Sequence, residues 1–498
     1  MFDKIKRLGT ETATYGISTI LGRFLNFLLV PFYTNVLAPG EYGVVAYVFS
    51  LIALMNVIYG YGMESAYFKY ASTKELGTAK QNFSTPFLSL FLSSAAFSSV
   101  LVIGSPLIAT AIAIPQGLSS IVEYAGWILL FDTLAIIPFA SLRMERKAKF
   151  FSLLKFSNIL INVASNLVLL LVFKKGVEGI FLSNLLASAL TFLFLVPTVL
   201  RHFSTQFFTE LYGALLKFGL PYIPAGLATM MIQVVDRPIL RMLTNDATVG
   251  VYQANYRLGI FMMLVVQMYD YAWRPFFLTH AGEANAKEMF ARILTYFVLF
   301  MSIVFLLLTF FIPDLVRITV FGRHLIHPDY WSGLGIVPIV LLGYMFLGIS
   351  NNMVAGIYIE KKTHYLIPIT LVGAGVNIGG NFALIPSLSM YGAAWSTLLS
   401  YFAMAAMLYG MVKRVYPVAY EWSRLGKIAI ACGIVVSLSF LVSVGPFAWL
   451  WKFSLLALFC ASMYVMKFFN ADELSLFKSL FTRSPAAVDA HDELPTVL

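Results

Sequence analysis

Four polar side chains lie inside stretches otherwise built from hydrocarbon: Arg23, Asn26, Arg237 and Arg257. A guanidinium at mid-membrane costs about 2.5–3.5 kcal/mol on insertion scales, so Arg23, near the middle of its span, must meet a partner, water or a ligand. Around Arg23, the residues Thr12, Tyr15, Thr19, Asn26 and Tyr33 recur at helical spacing and make one polar stripe that should avoid lipid. Arginine's planar, permanently charged fork grips phosphate or carboxylate oxygens two at a time, which makes Arg23 and Arg257 the leading binders of an anionic substrate. Asn26 and Arg237 are further candidates for the same role. The intramembrane carboxylates Glu64, Asp132 and Asp236 are the candidates for coupling to an ion gradient, with plain pairing as the competing role. Asp236 has an arginine neighbour, Asp270 has Arg274 at i,i+4, and Glu64 has Lys69 nearby. Neither Arg23 nor Arg257 has a carboxylate in its own helix placed to neutralise it.

The elements that must hold these side chains are membrane helices. Mean hydropathy is +0.82, 59% of residues are hydrophobic and only 12% are charged, about half the usual globular share. Continuous apolar runs of about 20 residues, rather than alternating ten-residue segments, predict helices and not barrel strands, because a helix satisfies its own backbone in lipid. The class is all-α and polytopic, with about fourteen spans: 11–36, 40–63, 83–113, 120–142, 150–173, 177–200, 213–242, 247–271, 288–312, 332–358, 364–386, 391–412, 424–444 and 447–468. Cys432 and Cys460 fall in the last two spans as small core residues with no disulfide or metal framework. Lys4, Lys6 and Arg7 precede the first span, and most of the 34 Lys and Arg fall on the same side as these three, which predicts cytoplasmic termini. Membrane topology accounts for the net charge of +10, so no nucleic-acid partner is implied.

The chain also repeats itself. The stretch from Pro31 to Glu41-Tyr42-Gly43 aligns with Pro238 to Thr248-Val249-Gly250, and the i,i+4 pair Asn162 and Asn166 in the fifth span aligns with Asn377 and Asn381 in the eleventh. Six spans separate the partners of each match, an even number, so the halves share one orientation as in parallel-repeat transporters. The expected organisation is a lobe at 1–200, a second at 201–412, two further spans at 413–469 and a disordered cytoplasmic tail at 470–498. Two lobes around a central cavity that opens to alternate sides is a transporter's plan.

The stretch Gly356-Ile357-Tyr358, Lys361-Lys362-Thr363, Gly375-Val376-Asn377, Asn381, Ile385-Pro386, Tyr391-Gly392-Ala393-Ala394 and Thr397 resembles the eleventh- and twelfth-span signature of polysaccharide flippases of the MOP superfamily, the O-antigen (Wzx-like) kind. The run from Pro31 to Gly43, and Asp236-Arg237 followed by Val249-Gly250-Val251-Tyr252, resemble the patterns at the head of each half in that family. This resemblance implies a V-shaped pair of lobes in the bacterial inner membrane. It also implies a polyprenyl-pyrophosphate-linked oligosaccharide as cargo, membrane lipid around it, and other polysaccharide-assembly proteins as possible partners. By the same resemblance, Arg23 corresponds in kind to a cavity arginine that engages pyrophosphate or acidic sugars, and Arg257 is a second such carry-over.

Two other readings stand beside it. A MATE-type multidrug exporter relies on intramembrane carboxylates, and Asp132 keeps that reading open. A membrane polysaccharide polymerase or ligase should carry a sizeable outer loop, whereas the largest here, about 313–331 with Arg317, Arg323, His324, His327 and Asp329, is too small for a domain. The sequence has no GxxxxGK[ST], HExxH or GxSxG motif, so the chain reads as a transporter rather than an enzyme and no cofactor is implied.

Overall fold

A computed structural model describes residues 27–320, 322–441, 448–470 and Glu473. The fold is all-α, 84% helical, and among the described residues the strands are confined to one short hairpin, Thr319–Val320 with Arg323–His324. Among the described residues ten helices are long and apolar enough to cross a membrane, and two bent pairs and two shorter apolar helices, Phe27–Val36 and Trp449–Val465, fall at the remaining expected spans. The bends have local causes. Pro221 breaks Thr209–Gly219 from Tyr222–Val234 by 42°, and Gly259 breaks Asp246–Leu258 from Ile260–His280 by 43°. Many large apolar side chains point outward, among them Val172 at 70% exposure and Leu200 at 72%. On a water-soluble protein such a surface would aggregate, whereas here it is the face offered to lipid.

Contacts sort the chain into two compact units. The larger comprises Met1–Glu283 and Phe311–Pro417 and the smaller Ala284–Phe310 and Val418–Leu498. In the smaller, Arg424 is buried, bonds Glu421 at 3.1 Å and Glu473 at 3.0 Å, and lies 4.4 Å from the centre of the Phe468 ring. Cys432 and Cys460 are free thiols, the first half-buried and the second exposed rather than in the core. Of the expected tail beyond 469, Asn470 and Glu473 are described; its other residues lie outside the described ones.

In the larger unit, the repeat seen in sequence reappears as geometry. Pro39–Gly60 begins with proline at its first turn, and the Glu41 carboxylate accepts from the Ala38 N–H at 2.9 Å. Asp246–Leu258 begins on the Asn245 side chain, which accepts from the Thr248 N–H at 2.9 Å. These two helices cross at glycines. A Cβ on Gly43 would lie 1.8 Å from the Asp246 carbonyl oxygen, and one on Gly250 would lie 1.9 Å from the Pro39 carbonyl oxygen. Gly43 and Gly250, and likewise Pro39 and Asp246, are separated by the same offset that aligns Pro31 with Pro238. The contact is therefore reciprocal, as at a two-fold interface between identical surfaces. The paired asparagines repeat as well: Asn166 Nδ2 donates to the Asn162 carbonyl at 2.8 Å, and Asn381 Nδ2 to the Asn377 carbonyl at 2.7 Å.

At the end of Ser120–Met144, Glu145 accepts from Lys147 at 2.5 Å and meets His202 Nε2 at 2.7 Å. Partial burial raises the pKa of this carboxyl, but Lys147 and His202 outweigh it and hold the group below its ordinary value. A depressed folded-state pKa gives stability above the unfolded value that disappears as pH falls through the folded one. Glu145→Gln should therefore melt slightly below the native protein at pH 7, and the difference should close below about pH 4. A melting series in detergent checks this; a gap that persists in acid would assign the effect to packing instead.

Candidate functional site

Two cavities meet at Arg237 and Arg257. Arg257 stands at the last turn of Asp246–Leu258, immediately before the Gly259 break, and is exposed to the space around it. One cavity, of about 410 Å³, draws Tyr33, Asp132 and Asn162 from the first half and Arg237, Gln253 and Arg257 from the second. The other, of about 450 Å³, is lined by Gln233, Gln267, Asp270 and Asn351 and again by Arg237 and Arg257. Both volumes lie within the roughly 300–1,000 Å³ of small-molecule sites.

The two arginines on this partition differ in their commitments. Arg237 is buried; its Nη1 donates to Asp236 at 2.6 Å and to the Gln233 carbonyl, its Nε donates to Gln253 at 3.0 Å, and the Tyr256 ring centre lies 4.4 Å away. Asp236 is only 1% exposed and also accepts from the Tyr252 hydroxyl at 2.5 Å. The Asp236–Arg237 pair is thus closed on itself, at 2.6 Å, as the neighbour-pairing reading expected. No ion pair engages Arg257 among the described residues. Its guanidinium is left for something in the cavity.

Each carboxylate has a particular answer. Asp270 pairs with Arg274 at 2.9 Å, at the i,i+4 spacing read from sequence. Asp132 lines the first cavity and, with Lys155, a further chamber beside it. Glu64 does not pair with Lys69. It accepts from Arg143 at 2.6 Å, while Lys69 Nζ lies 4.6 Å from the Phe218 ring centre. Residues five apart are rotated well off a common helix face, so sequence proximity misled where Arg143, from another helix, stood directly opposite. Arg23 and Asn26 lie outside the described residues.

The cavity also uses Asn162, which the sequence marked only as part of the repeat, and two side chains that sequence reasoning passed over, Gln253 and, in a neighbouring chamber, Lys155. A signal was present for one group. Lys155, Asn158, Asn162 and Asn166 recur at three and four residues along one apolar helix, the same kind of stripe that drew attention to Arg23.

Residues 34–269 match the family model described as "Polysaccharide biosynthesis protein". The solved structure "Lipid II flippase MurJ, inward closed conformation" superposes with a TM-score of 0.71 at 17% identity, covering 95% of this chain and all of that one. An inward-facing multidrug resistance MATE family transporter of the MOP superfamily superposes with a TM-score of 0.58 at 15% identity, over 79% of this chain and 94% of that one. A curated relative from Haemophilus influenzae, "Lsg locus putative protein 1", is 20% identical over 364 residues, 69% of this chain and 86% of that protein. The structural likenesses, at 17% and 15% identity, show that the chain shares the fold of those two solved proteins.

Proposed function

We propose that this protein is a flippase of the MOP superfamily that moves a polyprenyl-pyrophosphate-linked oligosaccharide across the bacterial inner membrane by alternating access, with both termini cytoplasmic and the lobes 1–200 and 201–412 moving about the cavity. The observation that carries this reading is the contrast at the cavity's partition. Arg237 is spent on Asp236, whereas Arg257 is open where two cavities meet. An exposed guanidinium in a low-dielectric cavity selects an anion and can hold two phosphate oxygens at once. Arg23 and Asn26, from the polar stripe of the first span, are proposed to complete the grip, with Arg237 bracing the wall beside Arg257. The polysaccharide description and the flippase neighbour support a flipped precursor of that kind. Among the three candidate carboxylates, Asp132 is the one lining the central cavity and is the proposed coupling residue; Glu64 is salt-bridged in the adjoining chamber and Asp236 is enclosed.

Asp132 in the cavity also favours a second reading, a cation exporter of the MATE kind. Complementation separates the two. In a host deleted for its own flippase and supplied with the matching glycan genes, the native protein should restore export. Arg257→Lys should keep part of it, and Arg257→Ala less than about a tenth, because lysine retains the charge but loses the fork. Full export by a well-expressed Arg23→Ala, Arg257→Ala double variant would sink the arginine grip. Export of cationic dyes without glycan export would select the second reading.

A further inference from the structure

A third chamber opens inside the first half of the chain, with a volume of about 500 Å³. Pro39–Gly60, Ser120–Met144, Ala148–Leu167 and Gly176–His202 contribute its walls. Asn56, Asp132 and Asn184 line both this chamber and the central cavity that holds Arg257. The two spaces therefore share a polar throat.

The chamber's charges cancel. Glu64 is bonded to Arg143 at 2.6 Å, and Asp132 faces Lys155, whose Nζ also lies 4.3 Å from the Phe139 ring centre. A site for an anion needs surplus positive charge, and among the described residues the lining leaves none. What they do leave is amide capacity. Asn56 and Asn184 have no hydrogen-bond partner among the described residues, and both reach the throat. Asn158 spends its donors on the Ala187 carbonyl at 3.1 Å and the Thr191 hydroxyl at 2.9 Å, which leaves its oxygen to accept. Both residues are half-buried, and a ligand that supplies both donors and acceptors can take up the hydrogen bonds that the protein leaves open to them. Hydroxyl groups in adjacent pairs do this, and the C–H face of a pyranose packs on an aromatic wall of the kind Phe139 and Phe151 provide.

We infer that this chamber is a subsite for uncharged sugar, a hexose or N-acetylhexosamine of the cargo, entered past Asn56 and Asn184 while the pyrophosphate rests at Arg257. The inference depends on the proposed function for the cargo's overall plan and adds where, and for which class of sugar, the glycan is recognised.

The test uses full-length protein in nanodiscs and three lipids: polyprenyl pyrophosphate alone, the same lipid bearing one N-acetylhexosamine, and the same lipid bearing one uronic acid. The native protein should bind the N-acetylhexosamine lipid about tenfold more tightly than the bare lipid, the size expected for one or two net hydrogen bonds, and should gain nothing from the uronic acid. Asn56→Leu with Asn184→Leu should bring that ratio to about one. If the leucine pair does not fold, Asn56→Ser with Asn184→Ser is read in the same way. A native protein that treats all three lipids alike, that gains only from the uronic acid, or whose preference survives both asparagine pairs overturns the subsite. Arg257→Ala should weaken all three lipids by one common factor. If it weakens none while the asparagine pair still erases the preference, the arginine grip fails and the chamber stands.

Discussion

Gly250→Val and Gly43→Val are each expected to abolish export and to cut the folded yield sharply. At both positions a Cβ would fall within 2 Å of a carbonyl oxygen of the facing helix, 1.9 Å at Gly250 and 1.8 Å at Gly43, far inside any real contact. To restore ordinary packing the helices must part by on the order of 1–2 Å along a crossing whose flanks, Tyr42, Val45, Val249 and Tyr252, are all buried. Overpacking of well-filled cores typically costs about 1–3 kcal/mol, and here the obstacle is backbone that cannot choose another rotamer. Alanine should already be harmful at either site. Thermal unfolding in detergent together with glycan export measures the effect, and a Gly250→Ala variant indistinguishable from the native protein in both would show that the crossing is not held as tightly as described.

The second large effect separates two arginines of the same cavity. Arg237→Met should destabilise the protein by about 3–5 kcal/mol, because it strands Asp236 as a buried, uncompensated charge. Arg257→Met should leave the melting temperature within about a degree, since the side chain is exposed and has no ion pair among the described residues. Export should fall in both, through loss of folded protein in the first and loss of substrate grip in the second. Melting curves beside expression-corrected export decide it. Native-like melting of Arg237→Met would mean that Asp236 finds another partner or is neutral, and the distinction between a closed pair and an open arginine would collapse.

Most of the fold was readable because membrane insertion writes itself into composition. A span must be apolar over its whole length, so the fourteen segments announced themselves, and the described helices fall where they were expected. One local pairing was equally plain, Asp270 with Arg274, because i,i+4 spacing puts both on one helix face, whereas the expectation that Asp236 meets a neighbouring arginine rested on proximity and not on spacing. Pairings between helices obeyed no such rule. Glu64 meets Arg143, and Lys155 faces Asp132, across gaps in sequence that no periodicity links. The stripe from Lys155 to Asn166 did state that one helix face would be polar, but not that this face would close a chamber with Asn56 and Asn184. The depth of Arg257 was legible; its lack of a described ion partner was not, because a partner may come from any helix in the bundle. Arg23 and Asn26, read from the first span, lie outside the described residues.

The glycine crossing also constrains how this protein can change by descent. When two side chains crowd each other, a smaller residue on one face can make room for a larger one opposite, and the pair drifts together. At Gly43 and Gly250 the opposing atoms are the carbonyl oxygens of Asp246 and Pro39, which any amino acid at those positions would carry. No substitution across the crossing can accommodate a side chain there. A genetic screen for revertants of Gly250→Ala should therefore recover true reversion or changes elsewhere along Pro39–Gly60 and Asp246–Leu258 that alter how the helices lie, and never a swap at Pro39 or Asp246 alone. Each half thus fixes the other's glycine, and neither position can change while the two helices keep their crossing.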